Sequence, residues 1–294
     1  MGRALADAFP VCRGTFAEAD AALGEPLSRL IFEGPDDQLT LTENAQPAIL
    51  AVSVAAFRLL ESRGIRPAFV AGHSLGEYSA HVAAGTFAFA DALRIVRHRG
   101  RYMQEAVPVG AGAMAAILGL ETALVEQACA EAAQGDVVSA ANLNGPRQVV
   151  IGGTRDAVRR AGERARSLGA KRVIPLNVSA PFHTALMKPA EERLAPELRA
   201  LKVENPRIPV VANVDGEAKR DAPAAVAALI RQVASPVRWD SVVAHLASAG
   251  VTTYVEVGPG TVLSGLVRKV HREADALAFG TPDDLASVES LLQV

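Results

Sequence analysis

At 294 residues, 50% of them hydrophobic, with a formal net charge of −2, the chain can bury one sizeable domain or a large domain with a smaller companion. The near-neutral balance gives no basic footprint for nucleic acid, and no apolar run approaches the roughly 20 residues that span a bilayer. Two cysteines, Cys12 and Cys129, argue against a disulfide framework or a zinc cluster, and the six histidines show no metal-binding spacing. The opening Met1-Gly2-Arg3-Ala4-Leu5-Ala6-Asp7 lacks a signal-peptide core, so the cytoplasm is the expected location.

In chain order, Arg3 to Phe16 reads as a helix, and a polar helix precedes the turn Gly34-Pro35-Asp36-Asp37. From Ala45 to Leu60 the residues Ile49, Leu50, Val52, Phe57 and Leu60 predict a helix buried on most of its circumference. Pro67 to Ala71 follows as a short buried strand, and Glu77 to Ala84 as a helix stopped by Gly85. Between them lies Gly72-His73-Ser74-Leu75-Gly76, a serine on a predicted strand-to-helix turn flanked by glycines. That context makes Ser74 a candidate nucleophile. A helix from Asp91 to Ala106 comes next.

From Gly112 to Val178 the pattern becomes strand (Ala113–Leu118), helix (Thr122–Ala133), two strands (Val137–Asn142, Gln148–Ile151), helix (Arg155–Leu168) and strand (Arg172–Val178). Gly145-Pro146 marks a hairpin connection. This βαββαβ order is the ferredoxin-like arrangement, and it predicts an inserted unit, residues 112–178, within an α/β domain formed by 1–111 and 179–294. The second part reads as a helix to Leu201, a strand Ile208–Asn213, helices Ala222–Val233 and Val237–Ala249, a strand Thr253–Val257 and the turn Gly258-Pro259-Gly260. That turn lacks the lysine of a phosphate loop.

A serine nucleophile needs a base. His73 adjoins Ser74 and points elsewhere on the turn, whereas His81, His98, His245 and His271 fall in helix-like segments. His183 sits in Ser179-Ala180-Pro181-Phe182-His183-Thr184, after a strand and before a helix, where strand-end loops of α/β folds gather their site residues. Arg99 lies on the apolar face of its helix with Ala92, Val96 and Met103, while Arg94, Arg97 and Arg101 lie opposite. A buried guanidinium should meet a carboxylate, from the protein or from a ligand.

The segments Gly72-His73-Ser74-Leu75-Gly76-Glu77-Tyr78-Ser79-Ala80, Arg99-Gly100-Arg101-Tyr102-Met103-Gln104, Pro181-Phe182-His183 and Glu256-Val257-Gly258-Pro259-Gly260 together resemble the malonyl-CoA:acyl-carrier-protein transacylase family, which includes the acyltransferase domains of polyketide synthases. The resemblance implies an α/β-hydrolase-like large domain with a parallel sheet and a ferredoxin-like insert. It implies Ser74 as nucleophile, His183 as base, the Leu75 N–H as an oxyanion donor, Arg99 as the partner of the malonyl carboxylate and Gln46 as a pocket residue. Gln232 matches the position whose main-chain carbonyl orients the histidine, and Phe182 the pattern of malonyl rather than methylmalonyl users. Implied partners are malonyl-CoA and an acyl carrier protein that brings the phosphopantetheine, with no metal or cofactor of the enzyme's own; Arg101, Lys188 and Arg238 are candidates for a basic patch facing the acidic carrier.

Family members begin with an apolar strand running into Gly-Gln-Gly-Ser-Gln, whereas this sequence starts at the helix that follows. On that reading Leu75 is one oxyanion donor where the family uses two, a difference of about 2.7–4 kcal/mol in transition-state stabilisation. The expected activity is malonyl transfer to carrier protein for fatty acid synthesis. The alternatives are a polyketide-pathway acyltransferase, a serine esterase or thioesterase, and an impaired carrier-binding module.

Overall fold

A computed structural model describes residues 1–108, 110–178 and 180–293; the boundary expected at Ser179 lies outside them. The helix Thr42–Ser62 is the axis of the larger part, packing against helices Pro10–Leu23 and Phe89–Glu105. Leu50, Leu59, Phe16, Leu93, Val96 and Met103 are buried between them, each contributing about 1.5–3 kcal/mol of transfer free energy. This axial helix starts at Thr42 rather than Ala45, because the Asn44 and Ala45 N–H groups both bond to Leu41 O and close an earlier turn. The opening helix is two, Arg3–Ala8 and Pro10–Leu23. Pro10 has no N–H and forces the residue before it out of the helical region, so Phe9 is extended with φ −130° and ψ 122°.

The strands of the larger part are shorter than their apolar runs. β1 (Val70–Ala71) occupies only the end of the stretch that begins at Pro67, and it pairs in parallel with a later strand, Val210–Val211. Between these two in the chain lie β2 (Gly112–Leu118), β3 (Val138–Leu143), β4 (Gln148–Thr154) and β5 (Arg172–Pro175), which form an antiparallel sheet in the order β3-β4-β2-β5. Helices Thr122–Ala133 and Arg155–Ser167 cover one face and bury Val125, Ala128, Ala157 and Ala161 against Ile117, Val149 and Ile151. That strand order is the ferredoxin-like one.

Val210–Val211 is β6, and β7 (Ala218–Lys219) pairs antiparallel to its other side. The expected strand over residues 208–213 is thus confined to two residues. β8 (Thr253–Val257), which has the bounds expected of it, pairs in parallel with β9 (Asp275–Phe279) around the helix Val262–Val270, a third sheet whose helix and second strand the apolar pattern alone did not reveal. The Glu256 carboxylate starts that helix by accepting the N–H groups of Leu263 and Ser264 at 3.0 and 2.7 Å. Gly258-Pro259-Gly260 is a packing turn: a Cβ on Gly258 would lie 2.3 Å from Ser53 Oγ. Among the described residues no helix is long and apolar enough to cross a membrane.

Candidate active site

The turn between β1 and the helix Leu75–Ala83 places Ser74 at φ 53° and ψ −108°, a conformation that non-glycine residues seldom adopt. Close backbone approach enforces it, since a Cβ on Gly72 would sit 2.0 Å from the Gly76 carbonyl carbon. Asn213, just beyond β6, staples the turn: its Oδ1 accepts the Ser74 N–H at 2.7 Å and its Nδ2 donates to Gly72 O at 2.8 Å. The two segments meet because β1 and β6 are parallel neighbours, so their carboxyl ends open on the same side.

His183 lies across from Ser74, with Nε2 2.6 Å from Oγ, and its Nδ1 is 2.9 Å from the main-chain carbonyl of Gln232. A carbonyl only accepts, so Nδ1 carries the hydrogen and Nε2 is left bare to accept the serine hydroxyl proton. Burial, reinforced by the Arg99 charge, lowers the imidazole pKa to about 3, so the ring is neutral at physiological pH. Every other histidine is engaged elsewhere: His73 with Asn144, His81 with Thr86, His98 with Glu197, His271 with the Tyr254 hydroxyl, and His245 against the Phe69 ring. Cys12 and Cys129 are buried, which pushes their thiols up to about 11 and about 12, outside nucleophilic range at neutral pH.

Arg99 is only 2% exposed, and its partners are all neutral. Nη1 donates to Gln46 Oε1 at 2.7 Å, and Nη2 donates to Ser74 Oγ at 3.1 Å and to Gln232 Oε1 at 2.9 Å. The guanidinium stands 5.3 Å from the Tyr78 ring centroid, and Nε has no partner among the described residues. Of the two partners open to it from the sequence, a protein carboxylate is therefore not in direct contact. Both Nη2 hydrogens are taken, and either two-point edge of the guanidinium includes Nη2. A bidentate carboxylate must therefore displace Ser74 Oγ or Gln232.

Gln232 ends the helix Ala222–Gln232 and is fully buried. Besides the carbonyl that meets His183, its Nε2 donates to Ser74 O at 2.9 Å and to Glu77 Oε2 at 2.7 Å. Glu77 is also fully buried and its Oε2 accepts the Asn213 N–H at 3.0 Å. Burial pushes its carboxyl up to about 7, against the opposing pull of those two hydrogen bonds and of Arg99. Leu75 opens the elbow helix; the next two N–H groups, of Gly76 and Glu77, are given to His73 O and Ser74 O. Phe182 is half-buried where the large core meets the small cluster of Met114, Ala141 and Val150.

The structure thus gathers Ser74, Leu75, His183, Arg99, Gln46 and Gln232, with Phe182 next to the histidine. Of the three cations expected at the site mouth, Arg101 pairs with Glu43 and Lys188 with Glu191, while Arg238 is exposed. Asn213 and Glu77 were given no role from the sequence. A glutamate three residues past the serine, on a helix otherwise facing the core, was the available signal for Glu77; Asn213 carried none beyond a polar residue after an apolar run.

The sequence profile of the family described as "Acyl transferase domain" matches residues 1–283. The malonyl CoA-acyl carrier protein transacylase of Escherichia coli K12 is 49% identical over 288 residues, 98% of this chain and 93% of that protein. The one from Bacillus subtilis 168 is 48% identical over 286 residues, 97% and 90% of the two chains. Among solved structures, an acyl carrier protein S-malonyltransferase from Vibrio cholerae superposes with a TM-score of 0.96 at 48% identity, covering 98% of this chain and 94% of that one. A malonyl-transacylase in complex with its type II PKS acyl-carrier protein superposes with a TM-score of 0.97 at 46% identity, covering 99% and 94%.

Proposed function

The chain belongs to the acyl transferase domain family, and from that premise we propose that it moves a malonyl group from malonyl-CoA to the thiol of an acyl carrier protein through an ester on Ser74. The observation that carries this reading is Arg99, a buried guanidinium without a carboxylate partner, 3.1 Å from the nucleophile. A free carboxylate two bonds from the reacting carbonyl is the group that such a cation selects.

In the first half-reaction Ser74 Oγ attacks the thioester carbonyl while His183 Nε2 takes its proton; the carbon–sulfur bond breaks and the CoA sulfur leaves with that proton. The Leu75 N–H at the helix start faces the developing oxyanion. In the second half-reaction the carrier thiol gives its proton to His183 and attacks the ester, and Ser74 recovers a proton as it leaves. Gln232 O holds the imidazole in the required tautomer, the part played by a carboxylate in other serine enzymes. The malonyl carboxylate also offsets the Arg99 charge that depresses His183, so the base strengthens when a carboxylate-bearing donor is in place. Gln46 keeps the guanidinium in position, and the Phe182 ring beside His183 crowds an α-methyl branch.

The reaction needs no metal or cofactor of the enzyme's own; the phosphopantetheine arrives on the carrier. We place the activity in fatty acid synthesis in the cytoplasm. A polyketide setting is the second reading, favoured by the structural likeness to a transacylase solved with a type II PKS carrier. Mass spectrometry after incubation with malonyl-CoA tests the proposal: a malonyl adduct on Ser74 that passes to carrier protein is expected. Hydrolysis without transfer would indicate an esterase, and carrier binding without an adduct would indicate a non-catalytic module.

A further inference from the structure

Arg99 poses a charge problem that its direct contacts do not solve. Burying an unpaired cation is costly, yet its three acceptors, Gln46, Gln232 and Ser74, are neutral. One amide away stands a buried carboxylate. The Gln232 side chain accepts from Arg99 through Oε1 and donates to Glu77 Oε2 through Nε2, so it bridges the two charges with a hydrogen bond at each end. The same Glu77 oxygen holds Asn213, which holds the Ser74 N–H.

We propose that Glu77 is a positioning residue of the carboxylate subsite: through Gln232 it orients and charge-balances Arg99 while the site is empty, and it takes up a proton when a substrate carboxylate pairs with Arg99. The inference rests on the reading of malonyl transfer at Ser74 and deepens it. Two carboxylates cannot share one buried guanidinium without cost, and the one already in the protein can shed its charge by taking a proton from the medium. Glu77 Oε1 is buried with no partner among the described residues, so it is open to that proton without breaking a hydrogen bond.

The charged and titratable groups that face Glu77 are few. Arg99 comes from the helix Phe89–Glu105, Asp215 from the turn after β6, and Tyr78 from its own helix; His183 meets the Ser74 hydroxyl and His73 precedes that serine in the turn. Tyr78 is pushed up to about 12 by burial and His183 down to about 3, so neither titrates near neutrality. Burial likewise lowers the His73 imidazole. A Glu77 carboxyl at about 7 is thus placed to change charge where Tyr78 and His183 do not.

The test compares the second-order rate of Ser74 acylation by malonyl-CoA and by acetyl-CoA, which lacks the carboxylate, across pH 6 to 8 in the wild type and in Glu77→Gln. Glutamine keeps an acceptor for Asn213 and Gln232 and removes the charge. In the wild type the malonyl-to-acetyl rate ratio should fall about tenfold across that range, as one proton becomes needed for carboxylate binding. In Glu77→Gln the ratio should be level, and at pH 8 higher than in the wild type. A second measurement needs no variant: an indicator dye should report uptake approaching one proton per malonylated site at pH 8, and none with acetyl-CoA. A level ratio in the wild type, a slope kept in Glu77→Gln, or no proton uptake overturns the proposal while leaving Ser74 malonylation standing. Failure of Ser74 to take malonyl at any pH overturns both.

Discussion

Replacing Arg99 by alanine isolates what the buried guanidinium does. A carboxylate held by two charge-assisted hydrogen bonds gains about 1.5–3 kcal/mol from each, so losing both should lower kcat/KM for malonyl-CoA by roughly 10²- to 10⁴-fold. Acetyl-CoA offers nothing for those bonds to hold. Its rate should change far less, and two effects of the substitution oppose each other: Gln46 Oε1 and Gln232 Oε1 lose their donor, while His183 is freed from the Arg99 charge that depresses it. The assay is the acylation rate of Ser74 with each donor at one pH, beside a thermal melt to verify that the variant is folded. Arg99→Lys should recover only part of the loss, since an ammonium is a point charge without the planar fork. A malonyl-to-acetyl ratio within about threefold of the wild type in folded Arg99→Ala would refute the reasoning, because the preference would then come from some other group.

Acid should destabilise the protein through its neutral buried histidines. His81 and His183 are both held at about 3, below the ordinary 6.5, so between those values the unfolded chain binds protons that the native one does not. Their stabilisation is complete above pH 6.5 and is lost as the pH falls towards 3, by about 1.4 kcal/mol per pH unit for each group. Glu77, held up at about 7, binds a native proton over the same range and offsets one such share. Denaturant titrations from pH 7 to pH 5 should therefore show the histidine slope less that share, and His81→Leu should lower it by a further proton's share. Asn213→Ala should strip the Ser74 N–H and Gly72 O of their buried partners, at about 1–3 kcal/mol each, and lower kcat for both donors alike. A variant with the wild-type melting temperature would show that the elbow holds itself without the staple.

Much of this architecture was legible because it is local. Thr122–Ala133 begins and ends where its pattern says, and the β2–β5 order follows from short connections between alternating segments. Pro10 broke a helix that periodicity alone would continue, and β1 is confined to the last two residues of its apolar run, the ones that pair with Val210–Val211. In the βαβ unit at the C-terminal end, β8 was legible with its own bounds, whereas the helix Val262–Val270 was not, because its start is made by a side chain, Glu256, rather than by a conventional capping residue. In the candidate site, Ser74, His183 and Arg99 stood out by turn context, loop position and helix face. Glu77 and Asn213 did not, since a polar residue earns notice only when its burial is known.

What the sequence by itself determined is the set of reacting groups and the local geometry that presents them: glycines that let the turn at Ser74 close, a loop histidine, an arginine on an apolar stripe. Only the tertiary structure decided how they work together. The bonds that join them span 109 residues from Ser74 to His183, 133 from Arg99 to Gln232, 139 from Ser74 to Asn213 and 155 from Glu77 to Gln232. At such separations no periodicity or spacing constrains a contact. It is the burial shared by these groups that sets their charges, because desolvation acts on a side chain through everything packed around it.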